Sequence, residues 1–280
     1  MKQILNLFKK KKVDDITTSS EPSTPLIKKN NEKIANRKGE LGEYKINIQL
    51  DQLPKEYKYL SDVLVENPKA KSGYSQIDHI AITPYGIFVI ETKNYQGTIY
   101  GGKNRKTWSV NGKFKMMNPF VQNYGHIQAI KDILDKKYHD LFISMVSFTK
   151  RCTFKIDELD FRKIASNELL VYDVELSDYI HRKVSVLKIH HKEPLLNEEE
   201  ISIVYKAIVE ANIEDQLIRD KHVQSLKEEV VTQKDSAIKD NKQDKCIVCN
   251  KPLSDKVIEF CLSNKKFNGK VYCFEHQNKN

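Results

Sequence analysis

Residues 76–97 read QIDHIAITPYGIFVIETKNYQG, a stretch apolar enough for buried strands that nevertheless carries Asp78, Glu91 and Lys93. Two carboxylates inside apolar strands repel each other and resist desolvation. A divalent cation reverses that balance, and Mg²⁺ prefers one or two carboxylates with water and phosphate oxygens completing its shell. Whether the two acids meet depends on the turn at Thr83-Pro84-Tyr85-Gly86. If Thr83 pairs with Gly86, Asp78 stands opposite Glu91 with Cβ atoms about 4.5–5.5 Å apart, and Lys93 returns to the same face two residues on. If Pro84-Tyr85-Gly86 instead forms a three-residue loop with a glycine bulge, the register moves by one and Asp78 leaves that face. An ordinary Asp78–Lys93 ion pair beside a solvated Glu91 is the reading without a metal.

A second constellation closes the chain. Cys246-Ile-Val-Cys249 and Cys273-Phe-Glu-His276 are two pairs, each with two intervening residues, in a segment with little apolar sequence of its own. Each pair offers two ligands from one tight turn, and together they make a tetrahedral Cys₃His zinc site. Such a closed site is structural and supplies folding energy to the segment. Cys261 in VIEFCLSN competes with His276 for the fourth position, although its surroundings suit a buried free thiol. Cys152, remote in sequence, reads as core.

Positioning the hairpin residues requires an α/β arrangement. Ile34, Leu41, Tyr44 and Ile48 recur at helical spacing from Glu32 to about Leu50, which places Glu40 and Glu43 one turn apart. YKYLSDVLVE, SQIDHIAIT and GIFVIETK are β-rich runs, TIYGG and TWSVNGKFK add extended pieces, and Asn111-Gly112 signals a hairpin. Pro119 opens a helix through Val121, Ile127, Ile130 and Leu134. LFISMVSFT and NELLVYDVEL read as buried strands, and Asn197 with Glu200 is a capping box for a helix running through Ile201, Val204, Ile208 and Leu217. Helix, three strands, helix, strand is the order of an α/β sheet domain.

Composition sets the limits. The chain has 280 residues, 39% hydrophobic and 30% charged, enough for one substantial domain and a small module. Five of the cations behind its net charge of +9 are lysines in the first twelve residues, MKQILNLFKKKK, so the remainder is only mildly basic. No run approaches the roughly 20 apolar residues of a membrane span, and the short apolar stretch before Lys9 lacks the order of a secretion signal. An intracellular, cytoplasmic location follows as an expectation, with cysteine usage that suits a reducing compartment. The tail can touch an anionic membrane surface through Ile4, Leu5, Leu7, Phe8 and its lysines. Expected divisions are a disordered basic tail at 1–30, an α/β domain with a helical extension at 31–230, a linker at 231–243 and a zinc-ribbon-like module at 244–280.

An aspartate followed by Glu91-Thr92-Lys93 on consecutive strands, after a helix bearing an acid, resembles the PD-(D/E)XK nuclease superfamily. GELGEY, QIDHIAITPYGIFVIETKNYQGTIYGG, the tryptophan and NPFVQNYGHIQAI, in that order over roughly residues 31–150, resemble the NERD (nuclease-related) domain. The resemblance implies a restriction-endonuclease-like mixed sheet flanked by helices, and a hydrolase site for phosphodiesters in DNA, or in RNA. It implies Mg²⁺ or Mn²⁺ on Asp78 and Glu91, with the Thr92 carbonyl a further candidate ligand, and Lys93 orienting or deprotonating water and stabilising phosphate charge. Glu43 matches the helical acid of the family and Gln122 the polar residue near the scissile phosphate, with His126 a turn further on. His79 points away from Asp78 and reads as packing. Tyr95, Tyr100 and Trp108 are candidates for stacking on bases or for ordinary packing. The competing reading is a binding module that keeps the nuclease fold without turnover.

Overall fold

The computed structural model describes residues 41–156, 159–226 and 245–277. The expected tail, the 231–243 linker and Glu40 lie outside them. Ten described helical residues, 41–50, form α1. There follow β1 (Lys58–Glu66), β2 (Tyr74–Thr83), β3 (Gly86–Lys93), β4 (Gly97–Gly101), β5 (Thr107–Val110), β6 (Phe114–Met117) and α2 (Pro119–Ile133). Next come β7 (Phe142–Phe148), β8 (Cys152–Ile156), β9 (Glu168–Tyr172), α3 (Leu176–His190) and α4 (Glu198–Ala211). Residues 216–226 form α5, and α6 (Asp255–Ser263) and α7 (Phe274–Gln277) belong to the C-terminal segment.

The strands make two mixed sheets rather than one, in the orders β1-β2-β3-β7-β9 and β6-β5-β4-β8. β3 and β7 run parallel in the first; their continuations β4 and β8 run parallel in the second. In the larger sheet, side-chain alternation sends Phe88, Ile90, Ile143, Met145, Leu169 and Val171 to one face. There they bury with Ile46 and Leu50 of α1 and Leu176, Ile180 and Val184 of α3. The opposite face of β7, through Val146 and Phe148, packs with Ile99, Trp108, Val110 and Met116 of the smaller sheet and Phe120 of α2. Trp108 is stacked against Phe148, with ring centroids 6.4 Å apart, and lies over Gly101, where a Cβ would come within 2.3 Å of the indole.

Two compact units result. One comprises the described residues up to Ser61 with Asp78–Tyr124 and Asp140–Ser202; the other comprises Asp62–Ile77, Gly125–His139 and the described residues from Ile203 onward.

Several expectations are corrected. Leu41, Tyr44 and Ile48 form the exposed side of α1, while Ile46 and Leu50 are its buried anchors. The Asn197–Glu200 box is present, each backbone N–H bonded to the other side chain at 3.1 and 2.9 Å, but α4 ends at Ala211, so that Leu217 belongs to α5. β8 and α3 were not anticipated. Among the described residues no helix is long and apolar enough to cross a membrane.

Candidate functional site

The hairpin register is set locally. The Thr83 hydroxyl donates to the Gly86 carbonyl at 3.0 Å and accepts from the Tyr85 N–H at 3.2 Å, tying a two-residue turn. The strands therefore pair Thr83 with Gly86 through to His79 with Ile90, with no bulge, and the next facing positions are Asp78 and Glu91. Asp78, Glu91 and Lys93 thus share one face of β2 and β3 by alternation.

That face is met by α2. Asn118 accepts the Phe120 N–H at 3.0 Å and donates to the Arg105 carbonyl at 2.9 Å, fixing the start of the helix. One turn on, fully buried Asn123 donates to the Val89 carbonyl and the Ser144 hydroxyl, both at 2.8 Å, and so locks the helix onto β3 and β7. Its neighbour Gln122 is thereby aimed at Lys93, whose Nζ donates to Gln122 Oε1 at 3.0 Å and to Glu91 Oε1 at 2.5 Å. Glu91 is 2% exposed.

The electrostatics mark a crowded site. Burial first, then the Glu91 carboxylate, hold Asp78 well above the usual carboxylate range; the Thr92 N–H, donated to Asp78 at 2.6 Å, and Lys93 pull the other way. Glu43 on α1 adds its own repulsion to Asp78. Burial opposes the charge on Lys93, but Glu91 outweighs it and Lys93 rises above its ordinary value. Gly42 lets α1 approach the end of β3, since a Cβ there would stand 3.2 Å from that of Asn94. Two crowded carboxylates are the donor type a small divalent cation takes, and the charge such an ion carries would relieve their mutual repulsion.

The other sequence candidates separate. His79 points away and bonds the Ser61 hydroxyl at 3.0 Å. Trp108 is buried and donates to the Gly102 carbonyl at 3.1 Å, which makes it core. Tyr95 is half-buried against Phe114, and Tyr100 is exposed. His126 is buried in the second unit, whereas the hairpin residues named above belong to the first. Asn118, Asn123 and the Thr92 N–H went unrecognised in the sequence. The Asn-Pro before α2 was the available sign of a cap.

In the C-terminal segment, one donor atom from each of Cys246, Cys249, Cys273 and His276 lies within 4.8 Å of the others. Cys249 and Cys273 sulfurs are 3.7 Å apart, and His276 Nδ1 lies 3.5 Å from Cys246 Sγ and 3.1 Å from Cys273 Sγ. A tetrahedron with Zn–S of 2.3 Å and Zn–N of 2.0–2.1 Å has S–S and S–N edges of about 3.8 and 3.6 Å, so the donors fit zinc. Burial pushes the Cys246 thiol up, but the N–H groups of Cys273, Cys249 and Val248 bring it down to about 6. Cys261 stands apart from the cluster, buried with Phe267 and Val271 and accepting from the Tyr272 N–H and Gln277 at 3.4 and 3.3 Å. Burial pushes the Cys152 thiol up to about 12, that of an inert core cysteine.

The site thus gathers two carboxylates and a lysine on the central hairpin of a mixed α/β fold, under a helix-borne glutamine. A family model described as the nuclease-related domain, NERD, matches residues 38–149. The chain is also 32% identical over 209 residues to an uncharacterized protein of Bacillus anthracis, covering 73% of this chain and 90% of that one. It belongs to the NERD family. No solved structure matches it.

Proposed function

We propose that this protein is a divalent-metal-dependent nuclease that hydrolyses phosphodiester bonds in DNA. One observation supports the reading above others: Lys93 is held between Glu91 and Gln122 on the face that Asp78 shares. Asp78 and Glu91 are the residues that would hold Mg²⁺ or Mn²⁺. When bound, such an ion polarises a phosphoryl oxygen and acidifies a coordinated water. Glu43, whose charge is felt at Asp78, is the helical acid that would add a further negative charge to such an ion's surroundings. Lys93 carries a fixed positive charge to where a phosphate gains negative charge, and Gln122 keeps its ammonium from swinging away. Asn123, bonded to β3 and β7, holds the first turns of α2 where Gln122 meets Lys93. The Cys246, Cys249, Cys273 and His276 cluster is proposed to hold structural Zn²⁺.

A second reading starts from the same ion pair: Lys93 and Glu91 side chains, 17% and 3% exposed, also suit a purely structural contact in a nucleic-acid-binding module. The two are separated by incubating the full chain with supercoiled DNA, and with RNA, in Mg²⁺ or Mn²⁺. Nicking or degradation by the wild type, reduced about 10²-fold or more in Asp78→Ala and Lys93→Ala while both variants stay folded, is the expected result. Binding without cleavage, unchanged by either substitution, would leave the module reading in place.

A further inference from the structure

The smaller sheet concentrates the protein's positive charge. Residues 97–117 contain Lys103, Arg105, Lys106, Lys113 and Lys115, and residues 149–156 contain Lys150, Arg151 and Lys155, with no aspartate or glutamate in either stretch. Those eight cations compare with a net charge of +9 for the whole chain, five of whose lysines sit in the first twelve residues. The strands of the smaller sheet and their connections are thus locally basic, with Lys115 and Lys155 on the strands themselves. Some of this charge is committed locally: Lys103 pairs with Glu168 at 3.0 Å, Arg151 donates to the Asn94 side chain at 2.7 Å, and Lys150 lies over the Tyr172 ring.

Register sorts the rest by face. Ile99, Trp108, Val110 and Met116 point into the core. By alternation, Thr98, Tyr100, Thr107, Ser109, Lys115, Met117, Thr153 and Lys155 occupy the other face. The pairings Tyr100 with Lys155, Tyr100 with Ser109 and Ser109 with Lys115 align one row across all four strands: Lys155, Tyr100, Ser109, Lys115. Tyr100 is 36% exposed, both lysines are exposed, and Lys155 Nζ lies 5.8 Å from the Tyr100 ring centroid. The row spans three strand spacings, about 14 Å, with an ammonium at each end and an aromatic ring between.

We infer that this face binds single-stranded nucleic acid, its two row lysines on phosphates either side of Tyr100 and the tyrosine stacked under an unpaired base. An accessible ring flanked by cations and hydroxyls is a stacking platform, and only a base freed from a duplex can lie on it. A lipid surface is less well matched, because apolar insertion would fall to Met117 and the tyrosine among side chains that are otherwise hydroxyl or charged. The surface also lies in sequence next to the candidate cleavage site: β4 begins four residues after Lys93, so Gly97 is within about 14 Å of it. The assignment rests on the nuclease reading in that a cleavage site so close in the chain gives a single strand a reason to be held there.

The test uses the full chain without added divalent ions and a fluorescein-labelled oligothymidylate of about 15 nucleotides, read by anisotropy between about 50 and 200 mM salt. Lys115→Gln with Lys155→Gln should weaken binding and lower the slope of log K against log salt by about 1.4, two single-strand contacts' worth. Tyr100→Ala should cost about 5- to 150-fold at an unchanged slope, and Tyr100→Phe should restore it. Exposed Lys188→Gln with Lys192→Gln removes the same charge elsewhere and should change neither quantity. The assignment is overturned if that control loses as much as the face variants. It is equally overturned if Tyr100→Ala binds like wild type, if duplex binds as tightly as single strand, or if the face variants lose only anionic phosphatidylserine vesicles. Asp78→Ala separates this from the catalytic reading: it should bind the oligonucleotide normally here and cleave nothing when Mg²⁺ or Mn²⁺ is added to the DNA assay above. Loss of binding in the face variants with an inert wild type leaves the surface assigned and the nuclease reading rejected; normal binding by them beside Asp78-dependent cleavage does the reverse.

Discussion

At Asp78 the folded chain disfavours the ionised form of the side chain. Burial and Glu91 hold this carboxylate well above its usual range, so ionising it opposes folding unless a cation is present. Asp78→Asn is therefore expected to raise the melting temperature of the metal-free protein and to abolish metal-dependent cleavage. Calorimetry with a cleavage assay checks both, and a lower Tm would mark the carboxylate as structural. Gln122→Leu removes one hydrogen bond to a charged group and should slow cleavage by roughly 10- to 100-fold with the fold retained, measured as kcat under saturating DNA. Glu175 behaves in the opposite way to Asp78. Burial raises it, but Arg162, bonded at 2.9 and 3.3 Å, and the Tyr172 N–H outweigh that and hold it below the ordinary carboxyl value. Because the folded-state pKa is depressed, its stabilisation is present above the unfolded value and is lost as pH falls through the folded one. Glu175→Gln should cost about 1 kcal/mol at pH 7 and flatten the loss of stability below about pH 4.5, followed by urea unfolding at each pH.

Among the elements, two short polar devices do more than apolar periodicity to place the site. The Thr83 hydroxyl closes the hairpin turn without a bulge, and Asn123 ties α2 to two strands from inside the core. Asn123→Ala leaves the Val89 carbonyl and Ser144 without this donor and should cost about 1–3 kcal/mol. If the helix is held for the sake of Lys93, cleavage should fall further than stability alone explains. Trp108→Ala, in contrast, opens a cavity beneath the smaller sheet and should cost about 3–5 kcal/mol, lowering Tm without a specific effect on the hairpin site. Chemical denaturation of both variants beside their cleavage rates distinguishes the two.

For the molecule as a whole, the C-terminal segment poses a question of sufficiency. Within residues 245–277 the apolar cluster is built on Cys261, Phe267 and Val271, each contributing about 1.5–3 kcal/mol, against a backbone ordering cost of about 1–2 kcal/mol per residue. The metal proposed for the Cys₃His cluster would supply what that core lacks. Chelation, or Cys249→Ser, should abolish amide-exchange protection in this segment and release zinc, whereas Cys261→Ser should retain a full equivalent of zinc by elemental analysis. Charge is also a property of the whole chain that matters by location, and the register of the smaller sheet puts Lys155 and Lys115 in one row with Tyr100.

How much of this was readable in advance depends on the range of the interaction. The turn residues, the Asn197–Glu200 cap, the proline opening α2 and the cysteine pairs act within a few positions, and their outcome was visible in order and spacing. Asp78 and Glu91 could be paired on paper, but two registers were open, and the Thr83 side chain in its folded turn selected one. The exposed side of α1 was misjudged because Leu41, Tyr44 and Ile48 share helical spacing, whereas burial followed Ile46 and Leu50, the residues the sheet and α3 met. The splitting of the strands into two sheets, the meeting of Gln122 with Lys93 from 29 positions away, and the row of Lys155, Tyr100 and Lys115 depend on contacts between distant segments. By itself the sequence determined the ligand types, the turns and the donors of both candidate centres. Only the tertiary structure decided which of them face one another, because side-chain direction is set by strand register and helix docking, and those are settled by packing across the whole core.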